Sequence, residues 1–350
     1  RHATTLHTFS QTMQERCLGT SRPALFRRTR GREIREGVKI VEDTLSVTKP
    51  EILTAQPINM VAIFHDAQRH GVRLERATQQ LIRQTLSQLP TALGETPELR
   101  TALYAILNWK QRVADTLWTM HSLGVLGWLL PEFGQMQWRT QRDSYHVYTV
   151  DEHTLHGVAA LEDLRHGKFK EELPLLTQVM REIDKVELLF LSMLYHDVGK
   201  GHGSEHDERS AAMVQKAARR WNMSEDDTHE WYLLVQHHLR MSYIAQRRDI
   251  SDDALIAEFA RTVGTETVLK KLYLLTFADM KAVGPKVWNS WKGGLLDELY
   301  LRTLERFETG ESAEKDPEAR LQRRKEHLAT ILSAKEKATS EEQVARFLAC

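Results

Sequence analysis

Apolar positions along this chain recur mostly at helical spacing. In "PINMVAIFHDAQRHGV" they fall at Ile58, Val61, Ile63 and Phe64, with Gly71 placed to stop a helix. "RATQQLIRQTLSQL" and "PELRTALYAILNWKQRVADTLWTMHSLGVLGWLLPEF" keep the same period; "SLGVLG" breaks the second, and Pro131 reads as its end. Another helix is predicted to start near Asp151 in "HVYTVDEHTLHGVAALEDL", followed by a polar loop, "RHGKFKEELP". "VELLFLSMLYHDVGKG" is apolar almost all round, the pattern of a helix at the centre of a bundle, with Gly199, Gly201 and Gly203 marking its end. Four or five more helices are predicted through about Glu308. One stretch differs: "VKIVEDTLSV" alternates apolar and polar residues around Glu42 and Asp43, which fits a small β-hairpin at 38–47. The fold class read from this pattern is all-α with a minor N-terminal hairpin.

Composition narrows the class. The chain has 350 residues, 41% hydrophobic and 27% charged, as in an ordinary globular protein. Lysine plus arginine (48) balances aspartate plus glutamate (48), which argues against a dedicated nucleic-acid binder. No apolar run approaches the roughly 20 residues needed to cross a bilayer. The only cysteines, Cys17 and Cys350, suggest no disulfide framework and fit a cytoplasmic location. The basic run "RPALFRRTRGREIREG" reads as solvated surface or a linker, with phosphate contact the alternative. Both ends are taken as internal to a longer protein. Three parts are expected: a helical connecting region at 1–135, a second helical domain at 136–308 and a charged helical tail at 309–350.

The candidate chemistry lies where the most apolar helix stops. Adjacent helical residues point about 100° apart, so His196 and Asp197 can both lean onto one ion. Imidazole nitrogen with carboxylate oxygen suits magnesium, manganese, iron or zinc. An unpaired carboxylate there would be costly, and the same holds for Asp279 in the apolar "LYLLTFADM". Local capping or pairing of Asp197 is the alternative. Lys200 could neutralise charge on a phosphate, or simply complement the end of the helix dipole.

His153, then His196-Asp197, then Asp279 on three helices, with "HDVGK", resembles the HD superfamily of metal-dependent phosphohydrolases. The resemblance implies a helical bundle holding one or two divalent ions, magnesium or manganese ahead of iron or zinc. A second ion would draw on His206 and His238, with His237 a weaker candidate; His156 is expected to pack nearby and His202 to be exposed. The longer phrases "YTVDEHT", "HLRMSYIAQRRDI" and "WNSWKGGLLDELY" are similar to the GlnD family of bifunctional uridylyltransferase/uridylyl-removing enzymes. That likeness implies hydrolysis of UMP from the uridylylated PII signalling protein, with Asp197 and Lys200 in the catalytic centre. Nucleotidyltransferase and ACT regions are not found in this sequence. Arg247 and Arg248 could grip the nucleotide phosphate or an acidic face of PII, or form a helix-capping salt-bridge cluster. Trp288 and Trp291 are expected in the core, and His146 and Tyr148 at the pocket mouth. "EHDERSAAM" departs from the family around His206. Two other readings stand: an HD phosphohydrolase of free nucleotides, and a non-catalytic module that docks PII or a nucleotide.

Overall fold

The computed structural model describes residues 31–90, 96–137, 139, 148–201, 205–284 and 287–309. His146, His202 and the charged tail beyond Thr309 lie outside them. Four short strands make one sheet in the order β1 (Arg32–Arg35), β2 (Val38–Val41), β3 (Thr44–Val47), β4 (Arg73–Leu74). β2 and β3 are the expected hairpin, Val38 opposite Val47 and Val41 opposite Thr44. β1 adds an antiparallel edge from the basic run, and β4 pairs with β3 in parallel.

The remaining elements are helices: α1 (Glu51–Ala55), α2 (Asn59–His70), α3 (Arg76–Leu86), α4 (Pro97–Asn108), α5 (Val113–Ser122), α6 (Val125–Leu129), α7 (Pro131–Gly134) and α8 (Val150–Arg165). Then come α9 (Pro174–Glu182), α10 (Val186–Tyr195), α11 (His206–Arg220), α12 (Glu225–Gln236), α13 (Arg240–Arg247), α14 (Asp253–Val263), α15 (Glu266–Val283) and α16 (Ser290–Thr309). Gly71 ends α2 with φ 67°, as expected of a left-handed stop. Pro131 does not end a helix. It opens α7 at the first position, where its missing N–H costs nothing. Six helices, α11–α16, follow the HDVGK turn where the periodicity suggested four or five. Among the described residues, no helix is long and apolar enough to cross a membrane.

One continuous apolar cluster runs from Val38 and Leu45 in the sheet to Leu299 and Tyr300 in α16. Charged groups stitch the early helices to the later ones. Glu132 takes both terminal nitrogens of Arg220, at 2.6 and 2.8 Å, and accepts from the Tyr195 hydroxyl at 3.0 Å. Glu162, in the fourth turn of α8, accepts from the Val113 and Ala114 backbone N–H groups at 2.9 Å each, satisfying the start of α5. The Arg165 guanidinium donates to the Trp109 and Asn108 carbonyls at the end of α4, at 3.0 Å each.

Candidate metal centre

A capping box of Thr149 and Glu152 starts α8, which carries His153 into the core. Gly157, one turn on, faces Met193 of α10 so closely that a Cβ there would lie 2.0 Å from the Met193 methyl carbon. This close approach of α8 to α10 brings His153 Nε2 to 3.3 Å from His196 Nε2. α15 supplies Asp279, whose Oδ1 lies 2.9 Å from His153 Nε2 and 3.5 Å from His196 Nε2.

α10 stops at Tyr195, so His196 and Asp197 sit in the turn beyond it and not on the helix. His196 keeps helical backbone angles, φ −55° and ψ −34°. Its Nδ1 faces the Met193 carbonyl at 2.8 Å and must donate to it, which turns Nε2 towards Asp197 Oδ2 at 3.2 Å. His238 repeats the device. α12 ends at Gln236, and His238 Nδ1 donates to the Val235 carbonyl at 2.7 Å. Its Nε2 lies 3.8 Å from Asp197 Oδ1. A histidine ligand is commonly oriented by such a second hydrogen bond.

His206 is the first residue of α11. Gly199 lets that helix begin on top of the HDVGK turn: a Cβ at Gly199 would lie 2.3 Å from the His206 carbonyl oxygen. The Gly199 N–H donates to Ser210 Oγ at 2.9 Å. His206 Nε2 thereby reaches 3.5 Å from Asp197 Oδ1. Two groups that could hold a metal ion result, His153–His196–Asp197 and Asp197–His206–His238, which share one carboxylate. Asp279 borders the first.

Charge and burial fit cations. Asp197, His196, His153 and His238 are all at most 1% exposed. Neither oxygen of Asp197, nor Nε2 of His206 or His238, has a hydrogen-bond partner among the described residues. Lys200 Nζ lies 2.6 Å from Asp197 Oδ2 as an ion pair, off the hydrogen-bonding direction. Burial pushes the Asp197 carboxyl up, but His196 and Lys200 outweigh it and hold the group well below the usual carboxylate range. Asp279 is likewise held low against its burial, by His153 and His196. Burial would lower His196, yet Asp197 and Asp279 push it up to about 10, a measure of how strongly this point attracts positive charge. His238 goes the other way, to about 4, through burial and the nearby His196. Burial also lowers His206.

The structure thus gathers His153, His196, Asp197, Lys200, His206, His238 and Asp279. It does not gather the remaining candidates. His237 caps α12, half-buried, in neither metal group. Arg247 ends α13 and Arg248 follows it; both are exposed, and Asp249 pairs with Ser251 instead. Trp288 packs edge-on to Phe277 at 4.8 Å, as expected, whereas Trp291 is 65% exposed on α16 and so is not a core residue. His156 packs between Trp118 and Tyr148, as expected. Gly157, Gly199 and Ser210, which assemble the site, gave no distinct signal: the first falls within a helical pattern, and Gly199 reads only as a helix stop.

Residues 39–129 match the family model described as uridylyltransferase GlnD third domain. The chain is 34% identical over 279 residues to the bifunctional uridylyltransferase/uridylyl-removing enzyme of Azospirillum brasilense, covering 80% of this chain and 30% of that enzyme. It is 38% identical over 280 residues to the enzyme of the same name from Methylococcus capsulatus, covering 79% and 32%. The chain therefore spans less than a third of the length of these relatives. A CCA-adding enzyme solved with ATP aligns over 74% of this chain and 50% of its own, at 16% identity and a TM-score of 0.47, a likeness too loose to bear on the site. The family resemblance carried by the long sequence phrases is borne out by the first three matches.

Proposed function

We propose that this chain, a member of the GlnD family of bifunctional uridylyltransferase/uridylyl-removing enzymes, carries the removing activity: hydrolysis of the phosphodiester that joins UMP to a tyrosine of the PII signalling protein. The observation that carries the reading is the fully buried Asp197, with a set of histidine Nε2 atoms facing each of its oxygens. His153, His196, Asp197 and Asp279 would hold one divalent ion, magnesium or manganese in preference to iron or zinc, and His206 and His238 would hold a second beside Asp197. Such an ion acidifies water and polarises a phosphoryl oxygen.

The chain's own residues supply position and charge. The carbonyls of Met193 and Val235 fix His196 and His238 in the tautomer whose Nε2 is available to a cation. Lys200, 22% exposed and paired with Asp197, is the cation on the solvent side of the carboxylate and would meet the phosphoryl oxygens as negative charge builds. Buried walls around His153, His196 and His238 keep bulk water from screening these charges. On this reading the chain would act on uridylylated PII in the cytoplasm, with no role for a membrane or nucleic acid.

The test is UMP release from uridylylated PII by this chain, with Mn²⁺ and then with excess chelator. Release with Mn²⁺ that stops on chelation is the expected result. Release unaffected by chelator would sink the metal reading. No release from folded, metal-loaded chain, together with turnover of free nucleotides, would replace PII by a small substrate.

A further inference from the structure

Three half-exposed rings gather beside the metal groups. Tyr148 lies just before α8, and His156 sits one turn beyond His153 on that helix; their ring centroids are 4.1 Å apart with planes inclined by 39°. Trp118 of α5 meets His156 edge-on at 5.6 Å. The other aromatic stacks behave differently. Trp221 on Trp231 and Tyr273 on Tyr300 are at most 1% exposed and serve the core. None of these three rings is buried.

The rings are held firmly from below. Trp118 packs on His121, at 6.2 Å between centroids. His121 Nε2 lies 3.2 Å from Oδ2 of the buried Asp151, two residues before His153. Gln137 Nε2 donates to His121 Nδ1 at 3.5 Å. The stack and His153 are therefore tied to the same turn of α8. Aromatic faces left partly open suit a planar ligand that stacks on them.

We infer that Tyr148, His156 and Trp118 form the subsite that receives the nucleobase of the nucleotidyl group. The inference rests on the reading of the metal groups as a nucleotidyl phosphodiesterase centre. A nucleotide carries its base one sugar away from its phosphate, which fits a platform flanking the phosphate-handling groups and not touching them. Stacking of a base on an aromatic side chain contributes about 1–3 kcal/mol by alanine substitution, and 1.4 kcal/mol corresponds to tenfold in affinity.

The test is calorimetric binding of UMP and of ribose 5-phosphate to the Mn²⁺-loaded chain, for the unmodified sequence, Tyr148→Ala, His156→Ala and Tyr148→Phe. The expected result is about tenfold weaker UMP binding in Tyr148→Ala, with ribose 5-phosphate unchanged and Tyr148→Phe close to the unmodified chain. UMP binding unchanged in both alanine variants would overturn the base subsite. So would equal losses for the two ligands, because the residues would then support the site in general. An unmodified chain that binds neither ligand would instead sink the nucleotidyl reading itself. Binding of UMP no tighter than ribose 5-phosphate would leave that reading standing and remove the base platform.

Discussion

The two halves of the candidate metal centre are built by different means. His153, His196 and Asp279 meet because α8, α10 and α15 pack side chain on side chain, with Gly157 accommodating the Met193 methyl. His206 and His238 reach Asp197 through backbone. Gly199 lies against the His206 carbonyl, and Ser210 takes the Gly199 N–H. The first half can absorb a small misfit through a flexible methionine. The second has only main chain to move. Identical local orientation also gives opposite proton affinity: His196 and His238 each donate Nδ1–H three residues back, but only His196 has two carboxylates within 3.5 Å of its Nε2.

Removing the shared carboxylate should break both halves at once. Asp197→Ala is expected to abolish calorimetric Mn²⁺ binding and UMP release while the far-ultraviolet helix signal persists. Retained hydrolysis would show that the two groups are not the working centre. Next in size comes Gly199→Ala. Its Cβ must displace the His206 carbonyl, so the bound-metal count should fall from two to one, with a stability loss at or above the roughly 1–3 kcal/mol of an overpacked core. Gly157→Ala should cost about 1–3 kcal/mol in a denaturant titration and leave the metal count unchanged, because Met193 can swing aside. Equal metal loss in the two alanine variants would erase the distinction between the halves.

The metal-free chain sharpens the comparison through pH. Folded His238 titrates at about 4, below the ordinary 6.5, so the unfolded chain binds more protons between those values and stability falls as pH drops through that window. Folded His196 titrates at about 10, so its contribution is fully present below 6.5 and is lost as pH rises towards 10. Thermal melts against pH should show both limbs. His238→Gln should flatten the acid limb and His196→Gln the alkaline one; a single limb answering to both variants would contradict their separate environments.

Much of this was legible along the chain, for physical reasons. The hairpin at 38–47 shows because alternation survives wherever one face of a strand is buried. His196 and Asp197 show because polar groups closing an apolar helix must find partners. Other features depend on tertiary contact. β1 is the charged "REIR", and β4 is two residues long; neither carries strand periodicity, and each exists through its neighbour. Helices α10 and α12 end just before the histidines, whose imidazoles bond back to carbonyls three residues earlier, and neither boundary falls at a glycine or proline. Trp291 keeps helical spacing with Trp288, yet spacing alone does not say which face of α16 is covered.

Glu162 has a consequence for how the molecule comes apart. It belongs to the helix that carries His153, yet it closes the first turn of α5, within the stretch that matches the GlnD third-domain model. Opening α5 alone would strand a buried carboxylate without its two donors, and opening α4 would take from Arg165 the carbonyls it bonds. The sheet-bearing part and the part that holds the candidate metal groups should therefore unfold as one cooperative unit, with backbone amides of α4 and α8 exchanging hydrogen at a common rate. A cut between residues 135 and 136 would then part Glu162 and Arg165 from the groups they bond at the start of α5 and the end of α4.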